Sequence, residues 1–305
     1  MPPLEADSSE GTVEFSLRSG IPQSPPLAAH FGAASHVGLR RPNNEDHYAV
    51  VQRSRTRRIL LTNVDTPSFR LPEDEAYSMI VADGMGGYGF GELASELVLR
   101  IGWELAGTAP FWVMKFRPDV IDKIREKIAA YGRQIQDELR EYAANDPALA
   151  AMGTTWTCGY LMGRDAIVAH VGDSRAYLFR DQSIRQLTRD HTFAQTLRDV
   201  GAPAKETEQY KHVLVNSFGP RSEKVKIDID HVPLEDGDRM LLCSDGLTDM
   251  VSDEEITSTL VEVPGAQAAC DALVECALHN GGKDNVTVIL ADLEKPPGHS
   301  HGTVS

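Results

Sequence analysis

Strand-like segments in this chain come in consecutive blocks with helix-like segments grouped between them, and that order limits the fold more than any single motif does. Short runs rich in β-branched and aromatic residues mark strands at residues 47–52, 77–82, 155–162, 166–171, 176–179, 225–232, 239–243 and 286–290. In one of them Val225, Ile227 and Ile229 alternate with Lys226, Asp228 and Asp230, the period of an antiparallel strand with one wet face. Apolar residues at spacings of three and four define helices. They are Ile121, Ile124, Ile128, Tyr131, Ile135, Leu139 and Tyr142 after Pro118, then Leu93, Leu97, Ile101 and Leu105, and finally Cys270, Leu273, Ala277 and Leu278. A doubly wound parallel sheet would need strict alternation of strand and helix, which this order lacks. The pattern predicts an α+β fold built on antiparallel sheets.

The pattern runs without a linker through residues 30–294 of the 305-residue chain, within reach of one large domain. Residues 1–29, with Pro22, Pro25 and Pro26 and no apolar period, read as a disordered N-terminal arm, and residues 295–305 as a disordered tail. Residues 53–75, with Pro67 and Pro72, read as a surface excursion between two strands. No apolar run reaches roughly 18 residues, and Met1 to Ser9 has neither the basic nor the apolar part of a secretion signal. A cytoplasmic protein with no membrane span is expected. Cys158, Cys243, Cys270 and Cys276 form no CxxC pair and sit among apolar neighbours, as buried free thiols do. A formal net charge of −15 disfavours nucleic acid as a partner, since that binding wants a basic stripe.

Part of this acidity is placed where folding alone gives no reason for it. Arg41-Pro42-Asn43-Asn44-Glu45-Asp46, Asp83-Gly84-Met85-Gly86-Gly87, Gly172-Asp173-Ser174-Arg175, Ser244-Asp245-Gly246-Leu247-Thr248-Asp249 and Gly282-Lys283-Asp284-Asn285 put acids at strand ends beside Gly or Asn. Aspartate is poor in strands and rarely buried unless paired, yet Asp83 follows Met79-Ile80-Val81-Ala82 and Asp245 follows an apolar run ending at Cys243. Any one of these acids could be a turn former or a helix cap. Two carboxylates 4 Å apart repel by about 4 kcal/mol at an effective dielectric near 20, so several together stay ionised only beside cations. Hard oxygen donors suit Mg²⁺ or Mn²⁺. Gly84 allows the backbone a close approach, so its carbonyl is a further candidate ligand.

The ordered set Arg-x-x-Asn-Glu-Asp, Asp-Gly-Met-Gly-Gly, Met-Gly-Thr-Thr, Gly-Asp-Ser-Arg, Leu-Thr-x-Asp-His, Ser-Asp-Gly-Leu-x-Asp and Lys-Asp-Asn-Val-Thr-Val resembles the metal-dependent serine/threonine protein phosphatases (the PPM, or type 2C, family), bacterial branch. The likeness runs from about Ala33 to Leu293. It implies a four-layer αββα sandwich, two central antiparallel sheets flanked by helices, with the metals at one end. Carried over motif by motif, Asp46, Asp83, Asp245 and Asp284 would ligate two core ions with the Gly84 carbonyl assisting, and Asp173 with Asp245 and Asp249 would hold a weaker third. Arg41 would grip the substrate phosphate with its planar fork of donors, and Glu45 would act behind the metals or through a metal-bound water.

Metal chemistry then implies that a water bridging two cations attacks phosphorus while Arg41 and the metals absorb developing charge. The substrates implied are phosphoserine and phosphothreonine proteins marked by a cognate bacterial kinase, and the enzyme is expected to act as a monomer. No sensor domain is fused to the pattern, so regulation is expected from elsewhere or from metal supply. Where animal members carry a proton-donating His, this chain has Met85; a metal-bound water is the first substitute, and His191 is read as a strand-to-helix cap rather than an acid. Residues 201–211 correspond to the family's mobile flap, and Val215 and Asn216 replace its usual Thr-Arg pair.

Two rival functions have sequence support. Gly84, Gly86 and Gly89 satisfy a dinucleotide-binding GxGxxG, with Glu104 near the ribose-binding offset. That motif belongs in a βαβ unit, and it leaves the other aspartates unexplained. A non-catalytic phosphoprotein-binding relative would have lost Arg41 or a metal aspartate, and none is lost. The basic run Arg53-Ser54-Arg55-Thr56-Arg57-Arg58 could dock an acidic partner but reads first as a solvated hairpin edge.

Overall fold

The structure, a computed structural model, describes residues 26–55, 61, 74–86, 90–107, 118–144 and 146–295. Three strands open the chain, β1 (Ala28–His36), β2 (Asp46–Arg55) and β3 (Asp74–Met85), and are followed by the helices α1 (Phe90–Gly107) and α2 (Pro118–Ala144). Next come β4 (Gly153–Thr154), β5 (Trp156–Met162), β6 (Asp165–Val171), β7 (Arg175–Arg180) and β8 (Ser183–Gln186). The short helices α3 (Phe193–Asp199) and α4 (Ala204–Thr207) lead to β9 (Asp228–Pro233) and β10 (Arg239–Cys243). The chain closes with α5 (Asp245–Thr248), α6 (Asp253–Glu262), α7 (Ala266–His279) and β11 (Val286–Glu294).

One sheet has the order β1-β11-β10-β7-β8 and the other β2-β3-β5-β6-β9, with β4 against the end of β3, and every pairing is antiparallel. Alternation along β10 shows how the layers form. Met240 and Leu242 point between the sheets, where they meet Met79, Val81, Leu178 and Ile289, while Leu241 and Cys243 point outward onto Ile256, Leu273 and Val274 of α6 and α7. A strand covered on both faces needs no polar side, so Arg239–Cys243 reads as an unbroken apolar run. On the far side Leu97, Ile101, Ile135 and Leu139 pack α1 and α2 against Trp156, Ala169 and Val171 of the other sheet. The result is the α+β sandwich, two antiparallel sheets flanked by helices. Among the described residues the antiparallel ladders leave no βαβ unit for a dinucleotide fingerprint, whose Gly89 lies outside them.

Three expectations change in detail. β1 is not among the predicted strands, because Ala28-Ala29-His30-Phe31-Gly32-Ala33-Ala34-Ser35-His36 carries little β propensity; it forms by pairing along the whole of β11. It starts two residues inside the span read as the N-terminal arm, and Leu27 before it is buried. The strand expected over residues 225–232 begins only at Asp228. The Asn216 side chain takes both backbone groups of Lys226, donating to its carbonyl at 2.7 Å and accepting from its N–H at 3.1 Å, so no strand partner can use them. The rest of the arm (residues 1–25), the tail (296–305), and most of the 53–75 excursion with its basic run lie outside the described residues. Among the described residues no helix is long and apolar enough to cross a membrane.

Candidate metal centre

The antiparallel sheets bring strand starts and strand ends to the same edge, and the acidic motifs sit there. Asp46 is the first residue of β2 and stands opposite Asp83, near the end of β3. Asp173 lies in the turn from β6 to β7, Asp245 opens α5 directly after β10, Asp249 caps α5, and Asp284 precedes β11. Arg41, Glu45, Asp83, Gly84, Met85, Asp173, Asp245, Asp249 and Asp284 all line one cavity of about 720 Å³. Asp46 is buried beneath it.

Carboxylate oxygens of Asp83, Asp173 and Asp245 lie within 4.8 Å of one another. Burial pushes the Asp46 carboxyl up to about 7, a rise that its hydrogen bond from Ser244 opposes and the charges of Asp245 and Asp284 reinforce. Asp83 and Asp173 are raised well above the ordinary range, again by burial first; Asp46 and Asp245 then act on Asp83, and Asp245 and Asp190 on Asp173. Asp46 accepts a hydrogen bond from Ser244 Oγ at 2.7 Å through Oδ2, but its buried Oδ1 has no partner. A buried oxygen without a donor, among carboxylates that raise one another's affinity for protons, is a donor set that fits a divalent cation.

The surrounding residues fix these acids in place. Thr155 Oγ1 accepts from the Asp83 N–H at 2.9 Å, and Thr154 Oγ1 donates to the Asp83 carbonyl at 2.9 Å. Asn285, buried behind Asp284, donates to the carbonyls of Val37 and Asn43 at 2.9 Å and accepts from the Glu45 N–H at 2.8 Å. It thereby clamps the loop that carries Arg41 and Glu45 onto the start of β11. Gly84 is obligatory because a Cβ there would run into the Gly91 carbonyl in the first turn of α1 and lie 2.6 Å from the Glu45 carbonyl. The Glu45 carboxylate reaches toward the same turn, since a Cβ on Gly91 would lie 2.6 Å from its Oε2.

Arg41 stands at the rim, 54% exposed, and donates to Asp284 Oδ2 at 2.5 Å. Among the lining residues the structure adds one that the sequence reading passed over. His212 Nδ1 lies 3.7 Å from Asp245 and its Nε2 3.5 Å from Asp249, and these two acids raise its affinity for protons. Lys211 Nζ lies 3.2 Å from Asp249. Asp249 is therefore grouped with Asp245 and His212, whereas Asp173 is grouped with Asp245 and Asp83. Nothing in Tyr210-Lys211-His212 signals this, because the segment has no period and its position depends on the α3–α4 loop. Ser244 and Asn285, by contrast, adjoin aspartates within motifs already singled out.

Met85 lines the cavity without a proton to give. His191 does not reach it. Its Nδ1 accepts from the Gly172 N–H at 3.1 Å, its Nε2 meets Asp228 at 3.0 Å, and its backbone pairs with Gly172 and Val215. The cap of α3 is the next residue, Thr192, whose hydroxyl accepts from Gln195 N–H at 3.1 Å. His191 thus ties Val215 and Asn216 to the turn that carries Asp173.

Comparison with known proteins points the same way. Residues 61–279 match the family model described as protein phosphatase 2C. The serine/threonine protein phosphatase PstP of Mycobacterium tuberculosis is 37% identical over 272 residues, which make up 88% of this chain and 45% of that protein. The chain thus spans less than half the length of this relative. Protein phosphatase PhpP of Streptococcus pneumoniae is 33% identical over 266 residues, 85% of this chain and 95% of the relative. The crystal structure of the catalytic domain of PstP in complex with 2 manganese ions superposes with a TM-score of 0.68 at 33% identity, covering 88% of this chain and 99% of that one.

Proposed function

Because the chain belongs to the protein phosphatase 2C family, we propose that it is a metal-dependent phosphatase acting on phosphoserine and phosphothreonine in proteins. The observation that carries this reading is the convergence of Asp83, Asp173 and Asp245 on one cavity, with Asp46 buried beneath it and its Oδ1 without a hydrogen-bond partner. Asp46, Asp83, Asp245 and Asp284, with the Gly84 carbonyl, are the proposed ligands of two core ions, Mn²⁺ or Mg²⁺. Asp249 with Asp245, flanked by Asp173 and His212, is the proposed seat of a weaker third. Bound divalent cations supply positive charge to the phosphoryl oxygens and lower the pKa of water toward neutrality.

The chain's own side chains do the rest. Arg41, exposed at the rim, offers its remaining guanidinium donors to the phosphate while one arm holds Asp284. Ser244 and Asn285 hold the acids and the Arg41 loop in register, so that little reorganisation accompanies substrate binding. Glu45 acts from behind, its carbonyl accepting the Gly84 N–H at 3.1 Å. All four cysteines are free, and burial raises the Cys243 thiol to about 12, so a thiolate nucleophile has no place in this reading.

Residues 30–294 are the proposed catalytic domain. The reading extends to a cytoplasmic monomer that reverses a bacterial serine/threonine kinase in signalling. Hydrolysis of p-nitrophenyl phosphate and of a phosphothreonine peptide, with Mn²⁺, Mg²⁺ or chelator and beside Asp245→Ala, is the test. Metal-dependent turnover lost in the variant is expected, and equal activity in the variant would refute the assignment.

A further inference from the structure

We propose that Arg40 and Lys283 form a subsite for a second anionic group on the substrate, so that preferred phosphoproteins carry another phosphate or an acidic side chain close to the scissile phosphate. This rests on the phosphatase reading and goes beyond it to the class of sequence recognised. Both side chains are exposed and line the same cavity as the aspartates. They sit on two loops joined to each other, since the Leu39 N–H donates to the Gly282 carbonyl at 2.7 Å and Arg41 holds Asp284. Arg40 and Lys283 therefore flank the Arg41–Asp284 pair on one wall.

The other cations at the opening are already engaged. Arg41 is paired with Asp284, Lys211 with Glu208 and Asp249, and His212 faces Asp245 and Asp249. Among the described residues neither Arg40 nor Lys283 makes an ion pair. In a chain with 45 acidic and 30 basic residues, two cations at the mouth of an acidic cavity that have no ion pair among the described residues are not accounted for by a general surplus of positive charge. They lie outside the aspartate cluster, so they complement an anion at the rim rather than the phosphate under attack. A carboxylate and a phosphate share the chemistry that would bind there, and phosphate, with a charge of about −1.5 to −2, would bind more strongly.

The test compares kcat/KM, with Mn²⁺, for phosphothreonine peptides of one length. Their neighbouring residue is neutral, a glutamate, or a non-hydrolysable phosphonate in place of a second phosphate, placed two or six residues away. An exposed ion pair changes an equilibrium by at most about fivefold. The wild type is expected to favour the nearby phosphonate by about tenfold and the nearby glutamate by about threefold over the neutral peptide. Both preferences should shrink with added salt. The double variant Arg40→Gln, Lys283→Gln should bring both ratios close to one, and Arg40→Lys with Lys283→Arg should keep them. A wild-type ratio near one, a ratio unchanged in the double variant, or equal benefit at six residues would overturn the subsite, the last by reducing it to general attraction. Failure of the wild type to hydrolyse p-nitrophenyl phosphate would instead overturn the phosphatase reading, and the subsite with it.

Discussion

The two ends of the sandwich treat buried carboxylates in opposite ways. At the end away from the cavity, among the described residues, the buried Asp238 and the half-buried Asp292 each have an arginine. Arg180 forks onto Asp238 with two bonds of 2.7 Å, and Arg239 donates to its cross-strand neighbour Asp292 at 2.7 Å while also reaching the Leu260 carbonyl at 2.6 Å. At the cavity end a hydroxyl donates to the Asp46 carboxylate, threonine hydroxyls hold only the backbone of Asp83, and the carboxylates of Asp46, Asp83 and Asp173 face other acids. Buried charge is tolerated only when compensated. The far end compensates within the chain; under the proposed function, metal ions take that role for Asp46, Asp83 and Asp173 at the near end.

Substitutions at the two ends should therefore move stability and activity in opposite directions. The largest effect is expected from Asp83→Asn, which should lower metal-dependent turnover by about 1,000-fold, since a metal site supplies several kcal/mol of transition-state stabilisation. The same variant should melt higher than wild type in chelator, because it relieves repulsion; a lower melting point would contradict the contrast. At the far end Asp238→Ala should cost about 3 kcal/mol in urea unfolding, the lower part of the range for a broken buried pair because Arg180 keeps Glu235 and the Pro233 carbonyl. Its turnover at a temperature where it is folded should match wild type.

Asp249→Asn sharpens the comparison within the cavity. About 10- to 100-fold lower turnover at limiting Mg²⁺, recovered in part at high Mg²⁺, is expected if this acid holds a weaker ion. Wild-type turnover at low Mg²⁺ would sink that assignment. Ser244→Ala removes the hydroxyl that donates to Asp46 Oδ2 and should weaken Mn²⁺ binding about tenfold by calorimetry, as loss of a group supporting a ligand does.

The same contrast predicts a pH dependence. In the metal-free fold Asp46 titrates near 7, raised by burial above the usual carboxylate value, so the native state keeps a proton that the unfolded chain has released. The resulting stability is fully present below the unfolded value near 4 and is lost as pH rises toward about 7. Asp83 and Asp173 act in the same direction. Melting in chelator should fall across this window, saturating Mn²⁺ should abolish the fall, and a flat profile in chelator would argue against unpaired buried acids.

Much of this was legible without coordinates. Strands covered on both faces announce themselves as apolar runs, as at Arg239–Cys243, and α2 begins at the proline its pattern indicated. The acids after those runs marked the candidate edge together, because turn or cap formation could account for any one of them but not for all five motifs. β1 and the late start of β9 were not legible. One depends on the free edge of β11 and the other on a side chain ten residues away, at Asn216.

The sequence by itself marked acids beside strand boundaries, since apolar period and charge are local properties. Only the tertiary structure decided which acids meet. It grouped Asp249 with His212 and Asp83 with Asp173, gave Asp238 and Asp292 their arginines, and placed Arg40 and Lys283 beside the cavity with no ion pair among the described residues. Those outcomes turn on which loops the antiparallel ladders bring to one end of the sandwich, over separations in sequence that no periodic pattern spans.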